Sequence, residues 1–279
     1  MFGILLAFLS SFFWATNDLF SKKLIYKGFD EYFILWIRFP LSSLLLLPLS
    51  ILFWDMNSFV LVSTLIWLPV ETLGGVLFIK ALKHAPLSIA MSFYSLMPFF
   101  SALFSFLLLG EGLTPLGFAG ILLTVVGAIL ITGPSPKDFF RKSIGSLYMI
   151  VSTLLFGLNV VIGKMVILES NPYFFSWYYT VCMSAGTFPF VKPEHFLRHE
   201  SYKEPSLLLI GLFFALGGIL YYIALLHAPT SYVVAVERIS ILLSLYYGKV
   251  FFGEEVKHII PGTLLMLMGS LLLSLSLLS

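Results

Sequence analysis

The chain has 279 residues, of which 59% are hydrophobic and only 11% are charged, and its mean hydropathy is +1.01. This composition excludes a soluble domain with a polar shell and predicts a membrane protein. The net charge of +2 gives no indication of nucleic-acid binding, and a single cysteine, Cys182, excludes an internal disulfide.

Turns marked by proline, glycine and charged residues divide the chain into ten apolar runs, each close to the ~20 residues that a membrane-spanning helix needs. The predicted spans are residues 2–21, 31–54, 58–80, 86–109, 113–132, 145–167, 172–191, 206–226, 229–251 and 256–278. The first run has no basic leader and no cleavage pattern, so we expect it to be retained.

An internal repeat relates the first five spans to the last five. Residues 81–88 (ALKHAPLS) recur as residues 224–231 (ALLHAPTS), a shift of 143 positions from 81 to 224. The same shift aligns Gly74-Gly75 with Gly217-Gly218 and Gly110-Glu111 with Gly253-Glu254. The sequence therefore predicts two repeats, 1–133 and 144–279, and a linker at 134–143. Because each repeat has an odd number of spans, the second must enter the membrane inverted.

The basic residues predict an orientation. Connections after odd-numbered spans contain thirteen of the 16 lysines and arginines, the opposite connections contain only Lys164, and Arg38 and Arg238 lie within spans. Basic residues in short connections stay on the cytoplasmic side. We therefore expect the basic loops in the cytoplasm and both termini outside.

Polar residues in the first span have counterparts in the second repeat. Asn17 aligns with Asn159 in the sixth span. An asparagine within the hydrocarbon must find a partner, so each is expected either to face a water-filled cavity or to bond the backbone of a neighbouring helix. Asp18 either lines a pathway or pairs with Lys22 four residues later.

Two ionisable residues lie deep in the second and third spans. Arg38 is two turns inside its helix, where it either snorkels towards the cytoplasmic surface or pairs with an acidic group in the interior. Glu71 lies halfway along the third span. A charge at that depth costs about 2.5–3.5 kcal/mol on insertion and usually marks an ion or substrate pathway. Glu71 is therefore a candidate proton- or cation-binding group.

The fourth and ninth spans carry another set of candidates. Tyr94 lies in the fourth span, and the equivalent position in the ninth is Glu237, followed by Arg238. Adjacent helical residues project about 100° apart, so at least one of the two charges points into the bundle. They form either an internal ion pair or a contact to a substrate or coupling ion. Tyr221 in the eighth span adds a neutral hydrogen-bonding group.

The ends of the helices show structural signals. His84 and His227 close the third and eighth spans, where histidine can bond the last carbonyl groups. Gly110-Glu111 and Gly253-Glu254 end the fourth and ninth spans, and we interpret both glutamates as structural. The fifth and tenth spans share glycines seven residues apart, Gly120 and Gly127 against Gly262 and Gly269, which is typical of peripheral packing or dimer helices.

Ten spans in two copies, the motif Ala-Leu-x-His-Ala-Pro, Pro98, Gly110-Glu111 and a glycine-containing fifth span together resemble the drug/metabolite transporter superfamily, and its EamA-like branch in particular. The resemblance covers nearly the whole chain. It implies an all-α polytopic membrane protein of ten transmembrane helices in two inverted five-helix repeats. It further implies a central cavity lined by the first, third and fourth helices of each repeat, and alternating access. One departure is that residues 53–57 lack the basic cluster typical of this branch.

We therefore predict a secondary active transporter of a small polar or zwitterionic, amino-acid-like metabolite in the cell membrane, coupled to protons or working by exchange. Arg238 would bind a carboxylate or phosphate, Glu237 an amine, and Glu71 a proton or cation. The candidate substrate-binding residues are Asn17, Glu71, Tyr94, Asn159, Tyr221, Glu237 and Arg238.

The alternatives to this function are a non-transporting scaffold or receptor, and a transporter of phosphorylated or cationic metabolites. An intramembrane enzyme would need a cluster of metal ligands or a nucleophile beside a base, and the sequence shows neither. We expect no cofactor, no metal and no nucleic-acid partner. The expected partners are a small-molecule substrate, the lipid bilayer and a second copy of the chain.

Overall fold

The computed structural model describes residues 2–109, 114–132, 144–196, 203–227 and 230–276, and within these ranges the chain is helical and has no β-strand. The α-helices are α1 (Phe2–Tyr26), α2 (Glu31–Leu52), α3 (Ser58–His84), α4 (Leu87–Tyr94), α5 (Met97–Leu109), α6 (Pro115–Thr132), α7 (Ile144–Glu169), α8 (Pro172–Thr187), α9 (Pro193–Phe196), α10 (Pro205–His227), α11 (Thr230–Glu237), α12 (Ile239–Phe252) and α13 (Ile260–Ser276).

Among the described residues, six stretches are long and apolar enough to cross a membrane. They are Phe2–Tyr26, Glu31–Leu52, Ser58–His84, Leu87–Phe104, Ile144–Glu169 and Pro205–His227. Shorter apolar helices cover Pro115–Gly127, Ile239–Phe252 and Ile260–Leu272. The predicted all-α fold is confirmed. The inverted orientation of the two repeats and their boundaries stay predictions, and the linker 134–143 and Gly110-Glu111 lie outside the described residues.

Capping side chains set the beginnings of several helices. Asp30 accepts hydrogen bonds from the backbone N–H groups of Tyr32 and Phe33, both at 3.0 Å, at the start of α2. Asn57 and Asn171 accept the same kind of bond at the starts of α3 and α8. Each cap satisfies backbone donors that have no partner inside the helix.

The predicted fourth and ninth spans are each broken, whereas the sequence predicted continuous helices. The first break lies at Ser95 and Leu96, and the second at Arg238, 143 positions after Ser95. At the first break, Ser95 N and Leu96 N bond carbonyl groups three residues back, which tightens the turn. Pro98 follows and has no N–H with which to bond the carbonyl of Tyr94, so that carbonyl is left free for another donor.

Equivalent residues make equivalent contacts where α1 packs on α10 and α7 packs on α3. Ser10 Oγ donates to the carbonyl of Gly217 at 2.8 Å, and Ser152 Oγ donates to the carbonyl of Gly74 at 2.8 Å. A Cβ on Gly74 would meet Phe156 at 2.8 Å, and one on Gly217 would meet Trp14 at 3.2 Å. These glycines therefore allow large aromatic side chains to pack directly on the helix backbone.

Contacts at the helix ends fix the directions of these pairs. The start of α7 lies at the end of α3, where a Cβ on Gly145 would meet Ala85 at 2.6 Å. At the other end, Asn57 Nδ2 donates to the carbonyl of Glu169 at 2.7 Å. Helices α3 and α7 are therefore antiparallel. The same holds for α1 and α10, because the rings of Phe2 and His227 meet edge to face and Lys27 pairs with Glu204 at 2.8 Å.

At each end of the bundle a lysine bonds carbonyl groups at the C-terminal end of a helix. Lys22 donates to the carbonyl groups of Leu82 and Ala85, and Lys164 donates to the carbonyl of Leu225 at 2.6 Å. The alternative in which Lys22 pairs with Asp18 is therefore wrong, because helix C-terminal carbonyls take the ammonium group instead. Glu254 caps the start of α4, accepting from Leu87 N at 2.8 Å and Ser88 N at 2.9 Å.

Two predicted features of the helix ends are visible here. Gly253 has φ of +65°, the left-handed conformation that ends α12. His227 Nδ1 lies 2.9 Å from the carbonyl oxygen of Ile223 in its own last turn.

The fifth and tenth spans, α6 and α13, pack on each other within the chain, since a Cβ on Gly127 would meet the carbonyl of Gly262 at 2.5 Å. Of the two roles expected for their glycines, these contacts fit packing inside one chain.

Candidate functional site

A cavity of about 170 Å³ lies at the centre of the bundle. A water molecule needs about 10–15 Å³ of such volume, so the cavity has room for a solute of around ten non-hydrogen atoms. The helices that line it include α1, α3 and α4 of the first half and α7, α10 and α11 of the second, as the resemblance implied. Helices α2 and α8 also contribute to the wall.

The wall combines aromatic rings with a few charged groups. The aromatic residues are Trp14, Phe39, Trp67, Phe78, Tyr94, Phe156, Phe175, Tyr179, Phe214, Tyr221 and Tyr222. The charged residues on it are Asp18, Arg38, Glu71 and Glu237. Arg238 pairs with Glu237 from behind the wall, so the carboxyl groups of Asp18 and Glu71 and the guanidinium of Arg38 remain, which suits a solute with both positive and negative groups. Aromatic faces also attract ammonium groups.

Glu71 is held by two side chains from the second half of the chain. Tyr179 donates its hydroxyl to Glu71 Oε1 at 2.6 Å, and Asn159 Nδ2 donates to Glu71 Oε2 at 2.5 Å. The ring of Tyr179 stacks on Trp67, with centroids 5.5 Å apart. The sequence predicted Glu71 and Asn159 as site residues but missed Tyr179. No local signal could have found it, since it is 108 positions from Glu71.

Three buried polar atoms on the cavity wall have no hydrogen-bond partner among the described residues. They are Trp67 Nε1, Asn159 Oδ1 and the Tyr221 hydroxyl. Leaving a buried donor or acceptor unsatisfied costs about 1–3 kcal/mol. Together they offer a donor, an acceptor and a hydroxyl that serves as either, which a bound polar solute can satisfy.

Arg38 lies inside the bundle and is 4% exposed, so the alternative in which it snorkels to the surface is wrong. Its Nη1 donates to Asn17 Oδ1 and its Nη2 donates to Ser21 Oγ, each at 3.2 Å. Asn17 also donates its Nδ2 to the carbonyl of Ile210 at 2.7 Å. Asn17 does not line the cavity. Both ends of its amide are used to connect Arg38 to the backbone of α10.

Glu237 and Arg238 form the internal ion pair that was one of the two expected alternatives, with Arg238 Nη2 at 2.8 Å from Glu237 Oε2. Arg238 is fully buried, and its Nη1 donates at 3.1 Å to the carbonyl of Tyr94, the group that Pro98 leaves free. Its guanidinium also lies 4.4 Å from the centre of the Tyr94 ring. Glu237 and Tyr94 line the cavity but Arg238 does not. Arg238 thus joins the two helix breaks from behind the wall.

Within the part of the chain that the structure describes, no three His, Cys, Asp or Glu side chains cluster closely enough to hold a metal ion.

Comparison with known families decides the class of this protein. A model of the EamA-like transporter family matches residues 1–133 and again residues 143–275. The chain belongs to the EamA-like transporter family. The resemblance inferred from the repeated motifs is therefore confirmed, and this EamA-like transporter is a multi-pass membrane protein.

Two relatives of this chain are exporters. In two strains of Pseudomonas aeruginosa, the pseudopaline exporter CntI is 27% identical over 205 residues, which is 71% of this chain and 70% of the exporter. One solved crystal structure superimposes with a TM-score of 0.66 at 16% identity, covering 98% of this chain and 96% of the other. That likeness concerns the fold alone. Membership of this family and these relatives indicate membrane transport and are consistent with a protein that is not an enzyme.

Proposed function

We propose that this EamA-like protein is a secondary active transporter of a small zwitterionic, amino-acid-like metabolite, working by alternating access in the cell membrane. The observation that carries the proposal is the central cavity, in which aromatic walls surround three carboxyl groups and one guanidinium. A mainly apolar pocket with a few fixed polar groups is typical of a small-molecule site. The direction we propose is export, as in the related pseudopaline exporters.

Glu71 is the proposed proton- or cation-binding group. Both of its oxygens accept hydrogen bonds from neutral donors, Tyr179 and Asn159, and these bonds stabilise the ionised carboxylate. A proton on Glu71 would weaken at least one of them and so change the contact between α3 and the helices of the second half. This link between charge and helix contacts is what proton coupling or exchange requires.

The other proposed substrate contacts come from the wall. Glu237 and Asp18 offer carboxylates to an amine, and Tyr94, Tyr221 and Asn159 offer neutral hydrogen bonds. The wall has more acidic than basic groups, which disfavours phosphorylated metabolites and leaves cationic metabolites as the second candidate. The basic loops are proposed to lie in the cytoplasm.

A thermal-shift screen of the detergent-purified full chain tests this function. Amino acids, sugar phosphates, nucleotides and amines are added to the wild type and to Glu71→Gln and Glu237→Gln. A ligand that binds only the folded protein raises its melting temperature. We expect amino acids to stabilise the wild type and to do so less in both variants. Stabilisation by sugar phosphates or nucleotides instead would contradict the proposed substrate class.

A further inference from the structure

Among the described residues, Arg38 and Arg238 are both buried in the bundle, and they differ in what surrounds their charge. Arg238 is paired with the carboxylate of Glu237 at 2.8 Å and lies behind the cavity wall. Arg38 lies on the wall, and its hydrogen-bond partners are neutral: Asn17 Oδ1, Ser21 Oγ and the carbonyl of Ile34. A buried positive charge without a hydrogen-bonded carboxylate is costly. Arg38 is therefore the cation at this site that an anionic group of a solute can neutralise.

The donors of Arg38 are only partly used. A guanidinium has five N–H groups, and the described contacts occupy one each on Nε, Nη1 and Nη2. Each terminal nitrogen thus keeps one N–H. Two N–H groups on neighbouring nitrogens are what the two oxygens of a carboxylate bind in a bidentate pair.

Surrounding side chains hold Arg38 in place before any ligand arrives. Asn17 is fixed by its bond to the carbonyl of Ile210, and Ser21 Oγ donates to the carbonyl of Asn17 at 2.8 Å. The centre of the Phe214 ring lies 5.8 Å from the guanidinium carbon of Arg38. An arginine already ordered in this way loses little conformational freedom on binding a ligand.

Asp18 lies on the same part of the wall, one turn before Lys22 in α1. It is 5% exposed and directly follows Asn17, which bonds Arg38, and the described residues give it no hydrogen bond. Asp18 and Arg38 thus place an acceptor for a cation beside a donor for an anion. An α-amino acid carries its ammonium and its carboxylate on a single carbon, so the two groups are as close together as Asp18 and Arg38 require.

We propose that Arg38 binds the carboxylate of the substrate and Asp18 its ammonium group, so that the transported class is α-amino carboxylates. Asn17 and Ser21 are positioning residues that hold Arg38. The side chain of the substrate would then lie against the aromatic wall near Trp67 and Tyr179. This inference rests on the proposed function, and it replaces Arg238 with Arg38 as the carboxylate-binding residue.

The experiment compares an amino acid with two of its derivatives on the detergent-purified full chain. The probes are L-leucine, L-leucinamide, which lacks the carboxylate, and N-acetyl-L-leucine, which lacks the ammonium, with parallel sets for L-phenylalanine and L-methionine. Dissociation constants are taken from the concentration dependence of the melting temperature. We expect the wild type to bind at least one amino acid about 10- to 100-fold more tightly than its amide, as loss of a charged hydrogen-bonded contact predicts.

Variants assign that preference to single residues. In Arg38→Gln and Arg38→Lys the dissociation constants of the amino acid and its amide should become nearly equal, most completely in Arg38→Gln. In Asp18→Asn the preference over the N-acetyl derivative should fall instead, while the preference over the amide remains. Arg238→Lys is the matched control, a buried arginine off the wall, and it should keep the preference for the amino acid over its amide. A merely structural role of Arg38 would change the melting temperature without changing these ratios.

The outcomes separate this inference from the proposed function. If the wild type binds an amino acid and its amide equally, Arg38 does not bind the carboxylate, but the proposed transport function is not contradicted. The same follows if Arg38→Lys keeps the wild-type ratio or if Arg238→Lys removes it. If no amino acid or other zwitterion stabilises the wild type, the proposed substrate class fails, and this inference fails with it.

Discussion

At the scale of single residues, Glu71 has the clearest consequence. Its carboxylate accepts bonds from Tyr179 and Asn159, and in Glu71→Gln one oxygen becomes an amide donor that faces another donor. We expect transport by this variant to fall at least about 100-fold, since a positioned proton-transfer group typically contributes about 10²–10⁴-fold. We also expect its rate to lose the wild-type dependence on pH. Uptake into proteoliposomes between pH 5 and 8 measures both. A wild-type pH profile in the variant would exclude Glu71 as the proton-binding group.

The Glu237–Arg238 pair leads to a prediction about stability. Removing one partner leaves an uncompensated buried charge, so Arg238→Met should lose about 3–5 kcal/mol of unfolding free energy. The double variant Glu237→Gln/Arg238→Met removes both charges and keeps their volume, so we expect it to recover much of that loss. Unfolding in detergent of the two single variants and the double variant measures the coupling. Additive losses would show that the two charges do not stabilise each other.

At the scale of helices, direct packing on glycine distinguishes two neighbouring positions. A Cβ on Gly217 would meet Trp14 at 3.2 Å, whereas a Cβ on Gly218 would meet nothing within 4 Å. Gly217→Ala should therefore lower the unfolding free energy by about 1–3 kcal/mol through overpacking. Gly218→Ala is the control, and it should be neutral or slightly stabilising because alanine favours the helix. Thermal unfolding of both variants tests this, and equal effects would contradict the described packing.

The break in the fourth span gives another prediction at this scale. Pro98 leaves the carbonyl of Tyr94 free, and Arg238 Nη1 donates to it at 3.1 Å. In Pro98→Ala a new backbone N–H can bond that carbonyl, which favours a continuous helix and displaces Arg238. We expect a protein that is at least as stable in thermal unfolding but transports more slowly in proteoliposomes. A normal transport rate would show that the break is not needed for function.

At the scale of the whole molecule, the two ends of the bundle are closed to different degrees. Lys22 is 3% exposed, bonds two carbonyl groups and lies at the end where Glu254 caps α4, whereas Lys164 is half-buried and bonds the carbonyl of Leu225. Since α1 and α10 are antiparallel, as are α3 and α7, these are opposite ends. We therefore interpret this structure as closed at the Lys22 end.

Cysteine labelling tests that interpretation in a Cys182→Ser background. Gly163→Cys reports on the cavity wall near Lys164, and Met91→Cys reports on the wall one turn from the Lys22 end. A membrane-impermeant thiol reagent should label Gly163→Cys faster. Adding Glu254→Gln removes one acceptor of the cap at α4 and should speed the labelling of Met91→Cys. Equal labelling at both positions, unchanged by Glu254→Gln, would contradict a closed Lys22 end.

The sequence predicted much of this fold because hydropathy and turn residues report directly on helices. Helix α2 was expected at 31–54 and lies at Glu31–Leu52. The two breaks were missed, since Pro98 alone does not show that the Tyr94 carbonyl it leaves free meets Arg238 from the other half. The site was predicted in part. Glu71 and Asn159 stand out as polar residues in apolar runs, but packing alone decides that Arg38 lines the cavity and Arg238 does not.

Uptake of radiolabelled amino acids into proteoliposomes tests transport through this cavity most directly. Wild-type proteoliposomes preloaded with unlabelled amino acid should accumulate at least one labelled amino acid well above empty liposomes. Glu71→Gln proteoliposomes with the same protein content should accumulate far less. No accumulation of any amino acid by a folded wild-type protein, or equal accumulation by Glu71→Gln, would contradict the account.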